Sequence, residues 1–148
     1  MLDTWYPALR RSDYTVSYTV RPFTTEEAKE IIYTNPKLLS TQEMYLVAQT
    51  YETGSKEFNE VFEIAVRMFP EDRTANYNAA CSAIERGDYE EAEKYLAKAG
   101  DTAHAANARG VMAMRQGDDE AALRYFEQAR KGGLPEAQRN IDLLKDSE

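Results

Sequence analysis

The stretch ERGDYEEAEKYLAKAG, which starts at Glu85, returns thirty residues later as RQGDDEAALRYFEQAR from Arg115. Laid over each other, the copies pair Gly87 with Gly117, Asp88 with Asp118, Ala92 with Ala122, Tyr95 with Tyr125 and Ala99 with Ala129, while Leu96 meets Phe126. The register extends upstream, with Ala80 over Gly110 and Ala83 over Ala113. Agreement concentrated at glycine and alanine marks a packing constraint stated twice. A unit recurring at this period buries its apolar face on its neighbours, so the chain is a stack.

Each copy reads as a helical hairpin. ANYNAACSAIER forms one amphipathic helix, Gly87-Asp88 breaks it, and YEEAEKYLAKA forms a second that folds back, ended by Gly100-Asp101. Ala80 and Ala92 let the two backbones approach, and Ala83, Tyr89 and Leu96 fill the flanks. The segment RTANYNAACSAIERGDYEEAEKYLAKAG resembles the tetratricopeptide repeat, a 34-residue pair of antiparallel helices with small residues at the crossing, an aromatic in the second helix and a proline in the turn. The spacing of thirty departs from that pattern, and we attribute it to a shortened turn over residues 100–102.

Running the template backwards places a unit near 39–72, with EMYLVAQTY and KEFNEVFEIAVRMF as its helices, Pro70 in the turn, Ala65 in place, and Phe58 where a small residue is expected. Further units fall near 73–102 and 103–136, and PEAQRNIDLL supplies a cap over 135–145 with Ala137, Ile141 and Leu144 along one side. Thr24-Thr25-Glu26-Glu27 reads as a capping box opening the helix EEAKEIIYT, which stops before Asn35-Pro36. The fold class implied is all-α: a superhelical stack of about three tetratricopeptide-like hairpins with a C-terminal capping helix, spanning 24–148, preceded over 1–23 by a short β-strand or hairpin segment.

That preceding segment, YTVSYTV over residues 14–20, alternates large and small side chains as a strand does. Its only candidate neighbour, TWYPAL, contains Pro7 and is limited to an edge partner, so the segment is expected to close a domain lying further upstream. LRRSDYTVSYTVR resembles the closing strand of an outer membrane protein A-like, peptidoglycan-binding domain. That likeness implies a periplasmic or cell-envelope protein, with the cytoplasm as the alternative. An uncharged strand with unpaired edges also implies a homodimer through Tyr14–Val20.

Charge narrows the partners. The net charge is -8, and residues 1–37 balance five basic against five acidic side chains, so all the excess acid lies in the repeats. Such a surface repels phosphate backbones and anionic lipid, which excludes nucleic acid and membrane insertion and favours a neutral or basic polypeptide. The lone Cys81 allows no internal disulfide. His104 is the only histidine, no Ser-His-Asp set can be assembled, and Asp118-Asp119-Glu120 lacks the alternating ligands of a calcium loop; neither catalysis, metal nor cofactor is expected.

What is left is the inner wall that the first helices of stacked hairpins present. It comprises Met44, Val47 and Tyr51, then Tyr77, Asn78, Cys81 and Glu85, then Asn107, Val111, Met114 and Arg115. In peptide-clamping members of the family an asparagine at the place of Asn78 holds a ligand's backbone; alternatively Asn78 bonds within the stack. The positions that grip a C-terminal carboxylate in some members carry Thr74, Tyr77, His104 and Asn107, which disfavours chaperone-tail binding. Two functions stay open: a non-catalytic scaffold for a protein or peptide, and a spacer whose groove is filled by its own N-terminal segment, with Trp5, Tyr6 and Phe23 as plugs.

Overall fold

In the computed structural model residues 21–146 are described, and within them all regular structure is helical. The expected strand over 14–20, its partner TWYPAL and the dimer built on them lie outside the described residues. The order is α1 (Thr25–Thr34), a 3-10 turn (Pro36–Leu38), α2 (Thr41–Ala48), α3 (Lys56–Met68), α4 (Arg73–Arg86), α5 (Tyr89–Ala99), α6 (Ala103–Arg115), α7 (Asp119–Lys131) and α8 (Glu136–Asp146). α2 pairs with α3, α4 with α5 and α6 with α7, while α1 packs on α2 and α8 on α7.

The repeated Gly-Asp pair makes the same turn twice. Gly87 and Gly117 both take φ 79°, left-handed backbone that side chains rarely adopt. Gly87 N–H donates to Ile84 O at 3.1 Å and Asp88 N–H to Ala83 O at 2.8 Å; Gly117 N–H donates to Met114 O at 3.1 Å and Asp118 N–H to Ala113 O at 3.0 Å. These paired bonds satisfy carbonyls the helix end would leave open and turn the chain back at once. Asp118 then opens α7, its carboxylate accepting from Ala121 N–H at 3.0 Å.

Sequence difference between the two copies is compensated across the hairpin. A Cβ on Gly110 would lie 2.4 Å from Cε1 of Phe126, so the ring occupies the space of the missing methyl. In the preceding hairpin the equivalents are Ala80 and Leu96, both fully buried. Bulk moved from one helix to the other leaves the volume nearly unchanged, which close-packed interiors require.

Two further expectations change. The thirty-residue spacing comes only partly from the turn, because α5 has 11 residues where α7 has 13, in addition to a link over 100–102 against 132–135. In the first hairpin, α2 begins and ends earlier than EMYLVAQTY suggests. Ser40 and Glu43 form a capping box that starts the helix at Thr41, and residues 49–55 form a loop. Met44, Val47 and Ala48 lie in the core, alongside Val61, Phe62 and the half-buried Phe58.

Polar side chains tie one hairpin to the next. Arg109 of α6 donates to Leu96 O at 3.1 Å and Arg115 to Ile84 O at 3.0 Å, each a cation on the C-terminal turn of a helix in the preceding hairpin. Asn59 of α3 and Ser82 of α4 share a buried hydrogen bond. Asn76, wholly buried, donates to Pro70 O at 3.0 Å and Asp72 O at 2.8 Å and so pins the link between α3 and α4.

Candidate functional site

The first helices of the hairpins leave two depressions that meet. One, of about 310 Å³, is lined by Arg73, Thr74 and Tyr77 of α4, by Thr102 and His104 at the start of α6, and by Ala99. The other, of about 520 Å³, is lined by Gln49, Tyr51 and Thr53 after and at the end of α2, and by Phe58 and Phe62 of α3. Tyr45 and Asn78 line both. Together they form a groove in which Tyr45 and Asn78 stand where the two depressions meet.

Asn78 is half-buried, and among the described residues its side chain makes no hydrogen bond, although donor and acceptor are both available. Tyr77 beside it has its hydroxyl pKa pushed above the usual phenol range, first by burial and then by the neighbouring Cys81 thiol. Burial likewise pushes the Cys81 thiol up, which keeps it protonated and poorly nucleophilic. The His104 ring tilts at 60° to Tyr77 with centroids 5.9 Å apart, forming an aromatic flank at the α6 end. At the other end Tyr51 carries the Lys29 ammonium of α1 5.6 Å from the centre of its ring.

The expected wall is thus assembled in part. Tyr51, Tyr77 and Asn78 line the groove, with Cys81 behind Tyr77. Met44 and Val47 are corrected: both lie fully in the core, because that side of α2 packs against α1 and α3, and Tyr45 and the following Gln49 line the groove instead. Glu85 is exposed and stands beside Gly54, outside both depressions. Asn107 accepts from Asn140 of α8 at 2.8 Å, within the stack. Val111 and Met114 pack as half-buried members of the second and third hydrophobic clusters. Arg115 is turned onto the Ile84 carbonyl and is a capping group before anything else.

Sequence reasoning missed Tyr45, Gln49, Arg73 and Thr102. Among the described residues no group of His, Cys, Asp or Glu gathers as a metal site, and no helix is long and apolar enough to cross a membrane.

The sequence profile of the tetratricopeptide repeat family matches residues 59–100 and 77–138, overlapping segments that together cover more than half of the chain. The chain belongs to the tetratricopeptide repeat family. The matches begin inside α3 and end inside α8, so the short, irregular α2 falls outside them. Tetratricopeptide repeats generally mediate contacts between proteins, and the face that the first helices build is the one described above. No curated protein matches the chain.

Proposed function

We propose that this tetratricopeptide stack is a non-catalytic scaffold that holds an extended polypeptide segment along the groove between Tyr45 and Asn78. One observation carries the reading: the Asn78 carboxamide stands at the junction of the two depressions with its hydrogen-bonding capacity unused among the described residues. An extended strand presents N–H and C=O groups in alternation, and a single carboxamide can serve both. The cell envelope is the proposed location, on the likeness of LRRSDYTVSYTVR to an outer membrane protein A-like closing strand. Self-association through Tyr14–Val20 belongs to the same proposal, and light scattering that finds only monomer at micromolar concentration would remove it.

The spacer reading draws no support from the part of the N-terminal segment that is described. Phe23 packs against the first core with its N–H on Glu43 at 2.9 Å, and no residue of 21–37 lines the groove. Trp5 and Tyr6 lie outside the described residues. The test is selection from a displayed library of random linear peptides, comparing the wild type with Asn78→Ala. Enrichment that drops at least tenfold on Asn78→Ala, with unchanged circular dichroism, supports the clamp; equal enrichment rejects it.

A further inference from the structure

Exposed apolar side chains are concentrated where the described residues start. Four of the five large ones among them, Tyr33, Leu38, Tyr45 and Leu46, stand on α1, the 3-10 turn and α2, with the turn and α2 both packed on α1. Tyr45 lines the groove, but Leu46 is 42% exposed on the face of α2 turned away from the buried Met44, Val47 and Ala48, and Leu38 is 57% exposed. Single exposed leucines are ordinary, whereas a concentration of them marks a contact surface. Residues 21–24 lead the chain in beside it along a fixed path. Arg21 donates to the two oxygens of Glu27 at 2.9 and 2.7 Å, Thr24 N–H donates to Glu27 at 2.9 Å, and Phe23 N–H donates to Glu43 at 2.9 Å. Glu27 also caps α1 and Glu43 also caps α2, so this strap is held by groups the helix starts already fix. Glu43 and Leu46 are three apart on α2 and are neighbours on its surface.

We propose that residues 2–9 of the same chain, LDTWYPAL, fold back over the strap and cover Leu38 and Leu46, with Trp5 and Leu9 supplying the apolar contact. Residues 10–20 separate this segment from the strap and reach up to about 36 Å when extended, whereas α2, with 8 residues, is about 12 Å long. The tether therefore spans the surface with length to spare. It also holds the segment at an effective concentration in roughly the millimolar range, far above that of a second copy in dilute solution. Pro7 withholds an N–H donor, so LDTWYPAL is suited to lay side chains on a helix face and not to extend a sheet. The contact uses neither residues 14–20 nor Asn78, and it stands apart from the peptide-site reading of the groove.

Trp5 is the only tryptophan, so its fluorescence in the full chain reads this contact directly. In the native protein its emission is expected to lie to the blue of that in the urea-unfolded chain, with acrylamide quenching at least threefold weaker and no change across micromolar protein concentrations. Combining Leu38→Asp with Leu46→Asp is expected to remove most of that protection while helical circular dichroism is unchanged, because both positions are exposed. Should the aspartates lower helicity, the pair Leu38→Gln and Leu46→Gln is read in the same way. Trp5 as open to acrylamide in the native as in the unfolded chain overturns the proposal. So does protection that survives the double substitution, which puts Trp5 on another surface, and so does protection that fades on dilution, which makes a second copy the partner.

Discussion

The first hairpin and the two that follow solve the same packing problem differently. α4/α5 and α6/α7 cross on alanine and glycine, with Ala80, Ala92, Ala122 and Gly110 all buried and one large side chain, Leu96 or Phe126, filling the gap. α2/α3 buries Ala48 and Ala65 but adds bulk on α3, where Phe58 and Phe62 stand edge to face at 4.9 Å, and its first helix has 8 residues against 14 in α4. Small residues bring backbones close and fix one geometry; large ones keep helices apart and leave a cleft. The irregular hairpin is consequently the one that contributes aromatic walls to the groove, and the regular pair supplies the rigid floor with Asn78. Departure from the repeat and candidate function coincide in the same place, as strained or atypical local choices often do.

The contrast can be broken most forcefully at Phe126. Phe126→Ala empties a fully buried site between alanines that cannot collapse further, and about 3–5 kcal/mol of stability is expected to disappear in urea denaturation. The same change at half-buried Phe58 is expected to cost clearly less. A smaller effect of about 1–3 kcal/mol is expected for Gly110→Ala, which drives a methyl into the Phe126 ring. Adding Phe126→Leu recreates the Ala80/Leu96 pairing and is expected to recover most of the loss. If the double variant is as unstable as Gly110→Ala, the two hairpins do not exchange volume as described.

Arg115 sharpens the difference between holding the stack and holding a ligand. Arg115→Gln removes a charged donor from the Ile84 carbonyl, and the stability measured by denaturation is expected to fall by about 1 kcal/mol while peptide affinity stays unchanged. A large loss of affinity at unchanged stability would return Arg115 to the binding wall. The smallest effect concerns the exposed N-terminal cap. Hydrogen bonds from Arg21 first, then from the Thr24 backbone, lower the Glu27 carboxyl to about 2 from 4.5. A depressed folded-state value contributes stability that is present above the unfolded value and lost as pH falls from there toward 2. Glu27→Gln is expected to flatten the acid limb of the stability profile below pH 4 slightly, and a profile identical to wild type would argue against the cap.

Much of this was legible in the chain because it depends on local chemistry. Gly-Asp turns, capping residues and the 3.6-residue spacing of alanines act within one or two turns of helix, and α3 to α7 fall where those signals put them. The wall residues were read less well for two reasons. EMYLVAQTY carries apolar side chains on more than one helix face, so which of them are buried depends on how α1 and α3 pack on α2, and there Met44 and Val47 face the core. Arg115 differs from its expected place on the wall because a guanidinium reaching the Ile84 carbonyl, 31 residues earlier, depends on how one hairpin sits on the next, which no local signal encodes.

The central claim is that the first-helix face, from Tyr45 across Asn78 to His104, is where a partner chain lies. Backbone amide resonances recorded while a peptide enriched from the displayed library is titrated into the isotopically labelled protein test it most directly. The account predicts perturbations concentrated at Tyr45, Gln49, Arg73, Asn78 and His104, with α5 and α7 little changed. Perturbations confined to the acidic outer faces of α5 and α7, with Asn78 unmoved, would contradict it.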